Sequence, residues 1–209
     1  MADDILHRIK ERRVLAIYRG QSVRRCLELS AVLHQAGIRL FEVTLNGGEP
    51  FEAINALHDE YGGEFPIGAG TVLTADDVSR AADAGARFIV SPNVDEAVIG
   101  RAKALGLNVI PGAFTPTEVV RAAQLGADLV KVFPIRPVGA DYIRQLRGPL
   151  PDVPLLATGG VDAELAGACM AAGCTGVGVG VQLLGDTDDS AALAQQARRL
   201  VDVTTSGDF

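Results

Sequence analysis

In "GADLVKVFP", residues 126–134, a lysine interrupts a run of Leu, Val, Val and Phe. In "LFEVTL", residues 40–45, a glutamate does the same. Both stretches read as buried strands, and neither residue type is left fully buried without a partner or a purpose. Strand side chains alternate between faces. Lys131 therefore shares a face with Leu129 and Phe133, while Val130 and Val132 take the other. Glu42 shares a face with Leu40 and Thr44, opposite Phe41, Val43 and Leu45. The purely apolar faces suit packing beneath helices, so Lys131 and Glu42 point into a common interior. Burial and a nearby cation both lower a lysine's pKa and free the amine as a nucleophile. A neutral amine attacks carbonyls and forms imines, and a protonated imine draws electrons, so that a neighbouring C–C bond can break. A carboxyl group beside it can move the protons these steps need. The competing structural reading is an ion pair that merely plugs the interior, a weak stabiliser because desolvation offsets the attraction.

The elements that must hold these two residues follow from a motif repeated along the chain. "AGIRLFEVTL", "AGARFIVSP", "LGLNVIPG", "LGADLVKVFP" and "AGCTGVGVG" each place a Gly before an apolar run and after an amphipathic stretch. Gly accepts the left-handed conformation that ends a helix. The unit is thus helix, Gly stop, short strand, loop, helix, with Thr74, Asp95 and Thr115 as N-caps. "VLAIY", "FPIGAGTV" and "VPLLAT" supply three further strands. Alternating strands and helices imply a parallel sheet, and eight such units imply a closed (β/α)8 TIM barrel. A doubly wound open sheet would not need eight near-equal units. A short leading helix is expected at about 3–12 and a loose tail at about 204–209, with residues 1–209 forming a single domain.

Composition narrows the class. The 209 residues are long enough for one substantial core and short for two domains. A net charge of −7 argues against nucleic acid as a partner. No segment approaches the roughly 18 unbroken apolar residues of a membrane span. "MADDILHRIKERR" has no apolar stretch and reads as no signal peptide. Cys26, Cys169 and Cys174 form no C-x-x-C pair and suit a reduced, cytoplasmic setting. His7, His34 and His58 have no ligand-like neighbours at metal spacing, so no metal site is expected.

The strand ends add polar groups. Arg19 closes the first strand at the end where such barrels carry their chemistry. Thr71 of "GAGT" ends the third with a hydroxyl that can bind a carboxylate, and Ser91 and Asn93 end the fourth. "ATGGV" ends the seventh with Thr158, Gly159 and Gly160, and "GVGVG", with Gly178 and Gly180, ends the eighth. Glycines exposing backbone N–H groups after strands seven and eight are where barrels hold phosphate.

In these residues the chain resembles the bacterial 2-keto-3-deoxy-6-phosphogluconate aldolase family with its 6-phosphogalactonate branch. The resemblance runs from about Val14 to Leu184, through "EVTLN", "IGAGTVL", "IVSPN", "PGAFTPTE", "VKVFP" and "TGGV". It implies a class I aldolase that works without cofactor or metal. The implied enzyme is a homotrimer that splits a 2-keto-3-deoxy sugar acid into pyruvate and glyceraldehyde 3-phosphate. Lys131 matches the Schiff-base lysine and Glu42 the acid/base glutamate. Thr71 and Pro92 match the pyruvyl carboxylate pocket, which Phe133 joins, and Arg19 matches a substrate contact of the galactonate branch. Gly159 and Gly160 match the phosphate-site glycines. Asn46 stands where the gluconate enzymes usually carry Arg, whereas Thr158 before the glycine pair looks like the gluconate branch. Val181 replaces a phosphate-binding Ser, which removes about 1–2 kcal/mol of charge-assisted hydrogen bonding. A substrate without phosphate, such as 4-hydroxy-2-oxoglutarate, is therefore an alternative. So is a phosphosugar isomerase or epimerase with Glu42 as base and Lys131 as electrostatic partner, or a non-catalytic metabolite-binding barrel.

Overall fold

The computed structural model describes residues 5–206. The start of the helix expected at 3–12 and the last three residues of the expected loose tail lie outside the described residues. In chain order the elements are α1 (Ile5–Arg12), β1 (Val14–Tyr18), α2 (Val23–Gln35), β2 (Leu40–Thr44), α3 (Pro50–Tyr61), β3 (Ile67–Gly70) and α4 (Ala75–Asp83). They continue with β4 (Phe88–Val90), α5 (Glu96–Ala104), β5 (Asn108–Ile110), β6 (Gly112–Ala113), α6 (Pro116–Gln124) and β7 (Val130–Val132). The last are α7 (Gly139–Arg147), β8 (Leu155–Thr158), α8 (Ala163–Ala171), β9 (Gly176–Gly180), a 3-10 turn (Val181–Leu184) and α9 (Ser190–Thr205).

Thr74, Asp95 and Thr115 cap their helices through their side chains, and Thr115 forms a reciprocal capping box with Glu118. The glycine stops take positive φ as the motif requires, for example Gly85 at 99° and Gly173 at 96°. The tail departs from expectation. Thr204 is fully buried and its hydroxyl donates to the Leu200 carbonyl at 2.9 Å, so α9 continues through Thr205.

All strand pairs are parallel, in the order β5-β4-β3-β2-β1-β9-β8-β7-β6. The two ends of that order are pieces of one stretch, 108–113, parted by Pro111. Proline has no N–H to give to a ladder. Its carbonyl still accepts from the Lys131 N–H at 2.9 Å, which carries the sheet across the gap. β5 and β6 together make the fifth stave of a (β/α)8 barrel, and β7, β8 and β9 are the sixth to eighth.

Alternation sorts the side chains into two clusters. Outside, Val14, Ala16, Tyr18, Phe41, Val43, Val130, Val132 and their neighbours pack under the helices. Inside, Leu15, Ile17, Leu40, Phe88, Val90, Ile110, Leu129 and Leu156 fill the bore. Ile5 and Ile9 of α1 join this inner cluster and plug the end where the strands begin. Gly176 makes room for that plug, since a Cβ there would lie 2.7 Å from Ile9 Cγ2. Among the described residues, no helix is long and apolar enough to cross a membrane.

Candidate active site

Lys131 and Glu42 are the only charged residues within the described strands, and both face the bore, 6% and 1% exposed. Lys131 is paired in register with Gly112 and Leu156, and Glu42 with Ile17 and Gly68. With the stagger of an eight-stranded barrel, this register brings the two to one height, in a layer completed by Val90 and Gly178. The layer above holds Ile17, Gly70, Gly112 and Thr158, and the rim layer holds Thr44, Pro92, Phe133 and Gly180.

Two glycines shape the space around the pair. A Cβ on Gly70 would lie 1.8 Å from Glu42 Oε1, so the carboxyl occupies the notch that this glycine leaves. A Cβ on Gly178 would lie 2.7 Å from Thr158 Oγ1, so the Thr158 hydroxyl occupies the second notch. Lys131 Nζ sits 4.8 Å from the centre of the Phe133 ring. Among the described residues no ion pair joins Lys131 to Glu42.

Burial shifts both groups of the pair. Burial pushes the Lys131 amine below the usual lysine range; Glu42 pulls it partly back, and Arg19 adds to the depression. Burial likewise raises the Glu42 carboxyl, against the opposing pull of Lys131 and Arg19. Desolvation is the largest cause of both shifts and acts against the charged form of each group. A free amine attacks a ketone, and a protonated carboxyl supplies the proton for loss of water.

Three buried oxygens in the upper bore have no hydrogen-bond partner: Glu42 Oε2, Thr44 Oγ1 and Thr158 Oγ1. Around them stand the strand-end residues. Thr71 holds φ at 55°, a left-handed conformation that a β-branched side chain adopts only under strain. Pro92 and Phe133 are half-buried on the rim. Arg19 is exposed, and its Nη1 donates to Asn46 Oδ1 at 2.9 Å. Gly159 and Gly160 hold positive φ of 101° and 76°. Gly180 is covered by the side chain of Gln182, whose Nε2 would lie 2.6 Å from a Cβ there. Val181 is not brought to the rim. Its side chain is fully buried in the outer cluster, where an apolar group gains most, so this position offers no side-chain donor. Ser91 is also turned away, its hydroxyl donating to the Asn93 carbonyl at 2.6 Å.

Four residues have a role in the site that the sequence did not indicate. Thr44 lay on the Glu42 face by alternation yet was not singled out. Asn46 anchors Arg19, and Gly70 admits the Glu42 carboxyl. Gly112 lets the fifth stave pass Pro92, whose carbonyl would lie 2.3 Å from a Cβ there. Only the first carried a periodic signal. The others depend on contacts between distant segments. No three His, Cys, Asp or Glu side chains converge among the described residues.

A (β/α)8 barrel with a lysine and a glutamate at one height in its bore is the frame of a carbon–carbon lyase. Residues 5–196 match the family "Aldolase: KDPG and KHG aldolase", and the chain belongs to that family. It is 37% identical to the 2-dehydro-3-deoxy-6-phosphogalactonate aldolase of Escherichia coli K12, over 90% of this chain and 92% of that one. The solved structure titled "Native KDPGal structure" superposes with a TM-score of 0.87 at 36% identity, covering 92% of this chain and 94% of the other. A 4-hydroxy-2-oxoglutarate aldolase/2-deydro-3-deoxyphosphogluconate aldolase from TTHB1 gives a TM-score of 0.86 at 33% identity, covering 96% and 98%. The protein is a class I aldolase.

Proposed function

We propose that the enzyme cleaves a 2-keto-3-deoxy-6-phospho sugar acid, of the gluconate or galactonate series, to pyruvate and glyceraldehyde 3-phosphate through an imine on Lys131. The observation that carries this reading is the placement of Lys131 and Glu42, both buried, at one height in the bore. The Lys131 amine adds to the C2 ketone, and Glu42 protonates the departing hydroxyl as water leaves and the iminium forms. The ionised Glu42 then takes the proton of the C4 hydroxyl. The C3–C4 pair of electrons flows into the iminium, and the aldehyde departs. The enamine regains a proton at C3, and water returns Lys131 and pyruvate.

The carboxylate of the keto acid is assigned to Thr71, with Arg19 above it and Pro92 and Phe133 walling the pyruvyl end. Thr158, with its unpartnered hydroxyl, faces the carbons whose configuration separates the two epimers. Gly159 and Gly160 take the phosphate, beside Gly178 and Gly180 on the neighbouring strand. Incubation with pyruvate and borohydride tests the chemistry: a stable adduct on Lys131 is expected, and an unmodified Lys131 would count against it. The buried Val181 favours a second reading, a substrate without phosphate such as 4-hydroxy-2-oxoglutarate. Comparing kcat/KM on both phosphorylated epimers and on that acid separates the two. A homotrimer in the cytoplasm belongs to the same proposal. The free, buried state of Cys26, Cys169 and Cys174 is compatible with a reducing compartment, and the mass in solution tests the trimer.

A further inference from the structure

Arg136, between β7 and α7, has no role in the reading above, yet it and its neighbour hold the glycine pair after β8. The Ile135 N–H donates to the Thr158 carbonyl at 2.9 Å, and the Arg136 N–H donates to the Gly159 carbonyl at 3.1 Å. Arg136 Nη1 donates to the Gly160 carbonyl at 2.9 Å and also reaches Asp162 Oδ2. Asp162 in turn caps α8 by accepting from the Leu165 N–H at 2.9 Å. Three successive carbonyls thus face the β7–α7 loop. In a trans peptide the C=O and the following N–H point in opposite directions. The N–H groups of Gly160 and Val161 therefore face away from that loop, on the side of β9. Neither has a hydrogen bond among the described residues. Successive N–H groups turned one way form an anion-binding concavity. The clamp also needs glycine at 160, because a Cβ there would lie 2.8 Å from Arg136 Cδ.

We infer that Arg136 is a positioning residue for the phosphate-bearing end of the substrate: it gathers the Gly159 and Gly160 carbonyls on one side and leaves two N–H groups for the anion. This rests on the phosphorylated-substrate reading. It bears directly on Val181, because backbone donors must then do what a side-chain hydroxyl at that position does not. The Arg136 side chain is 60% exposed, so its loss leaves the barrel folded.

The test compares wild type, Arg136→Ala and Arg136→Lys on a phosphorylated 2-keto-3-deoxy sugar acid and on 4-hydroxy-2-oxoglutarate, with inorganic phosphate as inhibitor and pyruvate–borohydride trapping as a phosphate-free readout. Arg136→Ala should lose about tenfold in kcat/KM on the phosphorylated substrate, mainly through KM, with a similar loss of inhibition by phosphate. Lysine, which keeps one charged donor, should restore part of both. Trapping and the unphosphorylated substrate should change by less than about twofold. Equal losses on both substrates would mean a merely structural arginine and overturn the inference. So would an unchanged variant of a wild type that prefers the phosphorylated substrate. A wild type without that preference and insensitive to phosphate overturns the phosphorylated reading itself, and the inference with it.

Discussion

The lower and upper halves of the barrel bore are built from the same strands, on the same faces, two residues apart. Leu40 gives way to Glu42 and Thr44, Leu129 to Lys131, and Leu156 to Thr158. Below, the inward residues are apolar and α1 seals the end with Ile5 and Ile9. Above stand two ionisable groups, two hydroxyls and the notches of Gly70 and Gly178. All the unpartnered buried oxygens of the bore lie in this upper half. Each such group costs about 1–3 kcal/mol when it stays unpaired. The lower half therefore supplies stability, and the upper half holds polar groups that a bound keto acid can satisfy.

Substitutions can break that division, and the largest effect belongs to Lys131. Lys131→Met should reduce turnover by about 10⁴-fold or more, since among the described residues no other lysine lies on a strand of the bore. Stability should move the other way. Above its unfolded pKa Glu42 ionises freely in the unfolded chain, and below its own Lys131 is protonated there. Folding near pH 7 opposes both charges, so Lys131→Met combined with Glu42→Gln should leave Tm unchanged or raise it, by about 1–4 kcal/mol of stability. A lower Tm for the double variant would show the pair to be a structural ion pair after all.

Next comes Glu42→Gln, expected to cost about 10²–10⁴-fold in kcat. The pH profile sharpens the point. In the wild type kcat/KM should rise as Lys131 loses its proton, at a midpoint below the roughly 10.4 of an ordinary lysine. Glu42 raises the lysine's pKa and Arg19 lowers it. Glu42→Gln should thus move the rising limb to lower pH, and Arg19→Ala should move it to higher pH. Limbs that stay in place would separate these groups from the amine.

In the lower half the balance reverses. Leu156→Ala should remove about 2–5 kcal/mol of stability, read by denaturant unfolding, while the folded fraction keeps its turnover within about threefold. The smallest effect is expected at Thr71→Gly. Relief of the left-handed conformation should stabilise by about 1 kcal/mol, and loss of the hydroxyl should raise KM for the keto acid. A variant that is less stable would remove the strain argument.

Much of this was legible in the sequence for a physical reason. Periods of two and 3.6, glycine stops and capping residues are local properties, and they determine a strand–helix repeat before any contact is made. Alternation alone put Lys131, Glu42 and Thr44 on inward faces, because a residue's face depends only on its place in its own strand. What the tertiary structure decided is everything that needs two strands at once. The opposed pKa shifts of Lys131 and Glu42 come from desolvation by the whole bore. The notches at Gly70 and Gly178 exist only because neighbouring strands bring a side chain there. Val181 turned into the outer core, and Arg136 reached across a strand boundary to the glycine pair. Such contacts join residues far apart in the chain, and only packing sets their distances.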